Sequence, residues 1–206
     1  MTPESEIFSN VSRETIHDLE RYQELLLAWT KTINLIAPST ADDVWTRHIA
    51  DSAQLYKLIP NGSQSVTDIG SGAGLPGIVL AIIDKFRDQK LQFTLIESDQ
   101  RKAAFLRTVS RKLKLSITVL PARIEAVDLQ RADVLTARAL APLQTLLLFG
   151  NSLLHSEGTA LFLKGRTYQN ELALAQQTWN FQYKLHHSGT DPDSRILEIR
   201  DIKRGQ

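Results

Sequence analysis

Two regimes of hydrophobic patterning divide the chain. From residue 12 to about residue 60, apolar positions recur at helical spacing. From residue 65 onward, short apolar runs alternate with longer helical ones. Ile16, Leu19, Tyr22, Leu26, Trp29 and Ile33 line one face of a helix predicted over residues 12–33. Ser12 suits its N-cap and Glu14 its first turn. Asn34 to Pro38 interrupts the period. A second helix is predicted from about Thr40 to Ile59, with Ser39 and Asp42 spaced as an S-x-x-D capping box and Pro60-Asn61-Gly62 as its stop.

After residue 62 the pattern predicts strands at Ser65 to Asp68, Gln92 to Glu97, Ser116 to Leu120, Asp133 to Ala137 and Thr159 to Lys164. Helices are predicted between and after them: from Pro76 to about Phe86, Asp99 to Leu115, Pro142 to Leu154, and Tyr168 to Trp179. Two last strands, Phe181 to His187 and Ile196 to Ile202, bracket the turn-forming Gly189-Thr190-Asp191-Pro192-Asp193 and read as a hairpin. Strand and helix in alternation imply an α/β fold with a mostly parallel sheet covered on both faces. The expected organisation is an N-terminal helical extension, residues 1–62, followed by an α/β domain, residues 63–206.

The first strand runs into Asp68-Ile69-Gly70-Ser71-Gly72-Ala73-Gly74-Leu75-Pro76-Gly77. Glycine admits positive φ and close approach of a ligand. Pro76 suits the first position of the next helix, whose N-terminus attracts anions. Asp68 adds a carboxylate, so the loop suits a ligand with one cationic and one anionic end. Three readings compete. One is a turn with packing value only. Another is a dinucleotide loop, since Gly72 to Gly77 spells G-x-G-x-x-G. In such a loop the first glycine follows the strand closely, whereas here Gly70 and Ser71 come first. The third is the loop of S-adenosylmethionine-dependent methyltransferases, an acidic residue followed by G-x-G-x-G, which Asp68, Gly70, Gly72 and Gly74 match. The third fits best.

Glu97 ends the second strand, where a carboxylate accepts hydrogen bonds from ribose hydroxyls in doubly wound folds. Ligands in such folds sit outside the carboxyl ends of the strands. Gly70, Glu97, Glu125 and Arg138 are therefore expected to converge. The second helix carries Arg47, His48, Asp51 and Ser52. Arg47 and Asp51 have the spacing of a surface pair. A hydrolytic His48-Asp51-Ser52 triad is disfavoured, because neighbours on one helix lack the required geometry and no G-x-S-x-G elbow exists.

Composition narrows the chemistry. The chain has 206 residues, 42% of them hydrophobic, enough for a sizeable core, and no cysteine. Disulfides, thiolate-ligated metal and thiol nucleophiles are excluded, and with them methylation of pyrimidine C5 through a cysteine adduct and radical chemistry on a cysteine-bound cluster. No metal site is expected. No apolar run reaches membrane-spanning length and Met1 to Asn10 is polar, so a cytoplasmic, membrane-free protein is expected. A net charge of +1 announces no nucleic-acid partner. Basic residues do cluster locally: Arg107, Arg111 and Lys114 share a helix face with Arg101, Lys102 and Lys112 nearby, either a solvated face or one that contacts phosphate.

Several stretches together carry a resemblance. They are Trp45-x-Arg47-His48-x-x-Asp51-Ser52, the loop Asp68 to Gly77, Arg101-Lys102-x-x-Phe105-Leu106, Arg123-Ile124-Glu125, Ala137-Arg138-Ala139 and Leu163-Lys164-Gly165. In this order they resemble the RsmG (GidB) family of bacterial 16S ribosomal RNA guanine-N7 methyltransferases. The resemblance implies a class I, Rossmann-like methyltransferase fold with a seven-stranded, mostly parallel sheet. It implies S-adenosylmethionine as cofactor and 16S ribosomal RNA in the small subunit as partner, with guanine 527 in the helix 18 loop as acceptor. Carried over by position, Gly70 and Leu75 contact the cofactor in the loop, Ile124 and Glu125 lie beside its adenine, and Arg138 lies near the methyl donor. Asp68, Gly72 and Glu97 complete the expected cofactor set. Arg138 is the candidate for positioning the reaction. Arg47, His48, Lys164 and Arg166 are the candidate RNA contacts, and a monomer is expected. Alternatives are an RNA-binding or regulatory protein on the same fold, an NAD-dependent oxidoreductase, and a methyltransferase acting on protein or small molecules.

Overall fold

The computed structural model describes residues 7–87 and 90–205. The first residues of the expected extension, 1–6, lie outside it, as does part of the polar N-terminal stretch. Among the described residues one sheet of seven strands runs in the order β3-β2-β1-β4-β5-β7-β6. The strands are β1 Ser65–Ile69, β2 Gln92–Ile96, β3 Ile117–Leu120, β4 Ala132–Arg138, β5 Leu154–Lys164, β6 Trp179–His187 and β7 Arg195–Arg204. β1 to β5 pair in parallel; β7 inserts antiparallel between β5 and the edge strand β6. The class I architecture expected from the sequence is thus present, with the chain reversing across its centre between β1 and β4. That is where α/β sheets open a crevice.

Helices α1 Arg13–Thr30, α2 Gly77–Asp84, α3 Gln100–Leu113, α4 Leu143–Leu153 and α5 Tyr168–Ala175 cover the sheet. Ser12 caps α1 by accepting from the Thr15 N–H, and Asp99 caps α3 by accepting from Arg101 and Lys102. α2 is buried along its length, which explains its continuous apolar sequence. Leu19, Tyr22 and Leu26 of α1 join Val66, Ile78 and Phe105 in one hydrophobic cluster. The N-terminal segment therefore shares its core with β1, α2 and α3.

Several boundaries differ from the sequence reading. The second predicted helix is a string of short turns: 3-10 at Pro38–Asp43, π at Trp45–Ala50, α at Asp51–Ala53 and 3-10 at Gln54–Leu58. It begins at Pro38, and no Ser39 capping box forms. The Thr40 hydroxyl donates to the Ala37 carbonyl, a local bond that competes with regular helix. Pro76 stands at the N-cap of α2 with Gly77 as the first helical residue. β5 starts at Leu154, five residues early, because Leu154 already pairs with Ala132 across a bulge. α5 stops at Ala175, since Trp179 pairs with Arg204 and opens β6.

Candidate active site

The glycine loop closes over the end of β1. Gly70, Gly72 and Gly74 take φ of +62°, +56° and +90°, values open to glycine and strained for other residues. Three groups hold the loop. From below, Asp68 accepts from the Gly77 N–H at 3.2 Å and from the Thr136 hydroxyl at 2.8 Å. From β2, Glu97 accepts from the Gly72 N–H at 2.8 Å and from the Asp99 N–H at 2.7 Å. From α1, the Tyr22 hydroxyl donates to the Ala73 carbonyl at 2.8 Å.

Above the loop lies a cavity of about 500 Å³. Gly70, Gly72, Leu75, Glu97, Ile124, Glu125 and Arg138 all line it. The four residues expected to converge from β1, β2, β3 and β4 do so. Asp68 does not. It is fully buried beneath the loop, where burial pushes its carboxyl up to about 6. Its position within β1 aims the side chain at α2, so it braces the loop from underneath.

The lining fits S-adenosylmethionine. Ile96, Ile124, Leu140 and Phe149 offer apolar surface for a purine, Glu97 and Glu125 offer acceptors, and Lys102, Arg123 and Arg138 offer cations for a carboxylate. A Cβ at Gly70 would run into Leu140 and narrow the space. In the sequence, Lys102 and Arg123 are visible only as members of a basic cluster and of a motif.

A second cavity, about 510 Å³, adjoins the first and shares Arg138 with it. Arg47, His48 and Asp51 line it from the N-terminal segment, and Thr190, Asp191 and Ser194 from the β6–β7 loop. Arg138 stands between them. Its Nη1 donates to the Arg47 carbonyl at 3.0 Å and pairs with Asp51 at 3.3 Å; its Nη2 meets His48 Nδ1 at 2.7 Å. His48 Nε2 meets the Thr40 hydroxyl at 2.7 Å. Burial, then the Arg138 and Arg47 charges, push His48 down to about 4. Asp51 also accepts from Gln54 and Thr190, which fastens the β6–β7 loop to the same hub.

These contacts revise several expectations. Asp51 pairs with Arg138 and not with Arg47. Both nitrogens of His48 are engaged by Arg138 and Thr40, so the triad with Asp51 and Ser52, already disfavoured by the sequence, does not form. Lys164 is 10% exposed and pairs with Glu171 at 2.6 Å while donating to the Ala141 carbonyl. Its ammonium is engaged by Glu171 and the Ala141 carbonyl in the free protein. Arg166 is exposed, as are Arg107, Arg111 and Lys114; of the α3 basic residues, Lys102 reaches the first cavity. Sequence reasoning missed the Tyr22 hydroxyl and the Asp51–Arg138 pair. A tyrosine in an otherwise mostly aliphatic stripe is the available signal for the first.

Comparison with known proteins decides the family. The family model for rRNA small subunit methyltransferase G, GidB, matches residues 15–194. The chain belongs to this family. A GidB relative, ribosomal RNA small subunit methyltransferase G of Dinoroseobacter shibae, is 48% identical over 187 residues, covering 91% of this chain and 96% of the relative. Solved structures share the fold at lower identity. A SAM-dependent methyltransferase from Aquifex aeolicus superposes with a TM-score of 0.59 at 14% identity, over 84% of this chain and 97% of that one. TYW2 of M. jannaschii, solved in complex with AdoMet, gives 0.57 at 17% identity over 77% and 76%. The GidB match spans both the cavities and the hub that joins them.

Proposed function

We propose that the protein transfers a methyl group from S-adenosylmethionine to N7 of one guanine, position 527 in the helix 18 loop, of 16S ribosomal RNA. The observation that carries this reading is the meeting of two cavities at Arg138 in a chain of the GidB family. One is walled like a nucleoside-amino-acid site, and the other opens beside it between the N-terminal segment and the β6–β7 loop. The substrate is the small subunit or its RNA, met by a cytoplasmic monomer. Arg47 and Arg166 are its proposed phosphate contacts.

Guanine N7 carries a lone pair and is unprotonated at neutral pH, so its attack needs no general base. The residues at the end of β4 agree. Ala137-Arg138-Ala139-Leu140 stands where enzymes acting on exocyclic amines carry an Asn/Asp-Pro-Pro-Tyr type motif. When bound, S-adenosylmethionine supplies an electrophilic methyl on a sulfonium. The chain's own work is placement. Glu97 accepts ribose hydroxyls, Gly70 and Gly72 admit the ligand against backbone, Ile124 and Glu125 lie beside the adenine, and Leu75 packs beside the ligand in the loop. Arg138 holds the boundary between donor and acceptor.

Incubation with labelled S-adenosylmethionine and small subunits from cells lacking the activity tests the reading. Label is expected in the RNA. Label confined to protein or small molecules, or retention of NAD with no affinity for S-adenosylmethionine, would overturn it.

A further inference from the structure

We propose that His48 is a positioning residue: as a neutral acceptor it aims the Arg138 guanidinium at the junction of the two cavities. The proposal rests on the methyl-transfer reading above. It assigns the reaction geometry to a residue of the N-terminal segment, outside the sheet.

Donors and acceptors decide the form of the ring. A guanidinium only donates, so His48 Nδ1, 2.7 Å from Arg138 Nη2, must accept and carries no proton. The Thr40 hydroxyl has one hydrogen, placed on the Ala37 carbonyl at 2.8 Å. It therefore accepts from His48 Nε2–H at 2.7 Å. Both nitrogens are assigned, and the tautomer follows from the partners. His48 is 8% exposed, and the π-helical turn Trp45–Ala50 carries its ring together with the Arg47 carbonyl. The same turn thus grips Arg138 twice, while Asp51 takes its charge at 3.3 Å. Protonated His48 would place a hydrogen and a charge against the guanidinium. Arg138 and Arg47 oppose that charge; Asp43 favours it, and Asp51 and Asp191 stand in the same cavity wall. The balance keeps the ring neutral at physiological pH.

Substitutions at His48 separate positioning from packing. Asn carries Oδ1 close to the place of Nδ1 and can accept from Arg138. Gln reaches toward the place of Nε2 and leaves Arg138 without its acceptor. His48→Ala and His48→Gln are expected to lower kcat on small subunits by on the order of 10²-fold, as misplacement of a positioning group does. S-adenosylmethionine affinity, measured by calorimetry, should hold. His48→Asn should recover most of the lost turnover. His48→Ala in an Arg138→Ala background should cost little more. Nitrogen-15 NMR of labelled histidine in the free protein gives a readout independent of RNA, and should show His48 as the neutral Nε2–H form at pH 7. If this NMR result holds but wild-type protein methylates no RNA, the function has failed while the assigned contact stands. A charged His48 at pH 7, equal behaviour of the Asn and Gln variants, or full kcat in His48→Ala would overturn the proposal.

Discussion

Tyr22 Oη donates to the Ala73 carbonyl at 2.8 Å and so ties α1 to the glycine loop. The tyrosine is fully buried, and burial pushes its hydroxyl well above the usual range. Tyr22→Phe keeps the ring and deletes the donor, leaving a buried carbonyl unpaired. A loss of about 1–3 kcal/mol in stability is expected from a urea titration. The loop should loosen as well, seen as weaker S-adenosylmethionine binding. Unchanged stability and affinity would show that water or a shifted partner satisfies Ala73.

Gly77 is required for space. A Cβ there would lie 2.7 Å from Asp68 Oδ2 and 2.9 Å from its Cβ, and the carboxylate below cannot swing away without losing Thr136. Gly77→Ala should destabilise by about 1–3 kcal/mol through overpacking. Gly165, where an added Cβ would meet nothing within 4 Å, serves as the control. Gly165→Ala should stay within about 0.5 kcal/mol of wild type in the same thermal melts.

Asp68 gives a pH signature. Its carboxyl is raised from 3.8 to about 6 by burial. The folded protein thus holds this proton more tightly than the unfolded chain. The group's contribution to stability is fully present below about pH 4 and is lost as pH rises through 6. Asp68→Asn removes that slope: its Oδ1 can still accept from the Gly77 N–H, and its Nδ2 faces the Thr136 hydroxyl, which must turn from donor to acceptor. The variant's stability relative to wild type should therefore climb between pH 4 and 7, by on the order of 3 kcal/mol. Urea midpoints across that range check it. A difference that does not change with pH would place the carboxyl in its ordinary range.

Lys164 and Arg166, two residues apart, should part company. Glu171 binds Lys164 at 2.6 Å and also accepts from the Leu143 N–H at the start of α4. Glu171→Ala leaves the Leu143 N–H without its acceptor and the Lys164 ammonium with the Ala141 carbonyl but no counter-charge, and a cost of about 2–4 kcal/mol is expected. Arg166→Ala should leave the melting temperature alone and weaken RNA binding with a salt slope reduced by about 1. An unchanged salt slope would remove Arg166 from the RNA surface.

How far the sequence reaches depends on the kind of signal each residue carries. The alternation after Ser65 foretells all seven strands, because short runs rich in apolar residues are separated by polar, proline or glycine residues. The convergence of Gly70, Glu97, Glu125 and Arg138 follows from topology alone, since parallel strands bring their carboxyl ends to one edge. Asp68 lies below the loop and not in the cavity, because a strand position does not say which face the side chain takes. Lys164 turns inward, because a lysine at a rim looks the same in sequence whether it meets solvent or Glu171. The segment 38–58 has helical periodicity, yet its 3-10 and π turns depend on Pro38, Thr40 and packing against α1 and α2. His48 reads in sequence as an RNA contact; its bond to Arg138 spans ninety residues and is invisible without the fold.

The most direct test of the proposed reaction is a map of methyl groups at single-nucleotide resolution. Small subunits from cells lacking the activity would be treated with this protein and labelled S-adenosylmethionine. One modified base is expected, N7 of guanine 527 in the helix 18 loop, together with its loss in Arg138→Ala at saturating S-adenosylmethionine. Methyl at an exocyclic amine, at another nucleotide, or undiminished in Arg138→Ala would contradict that reading.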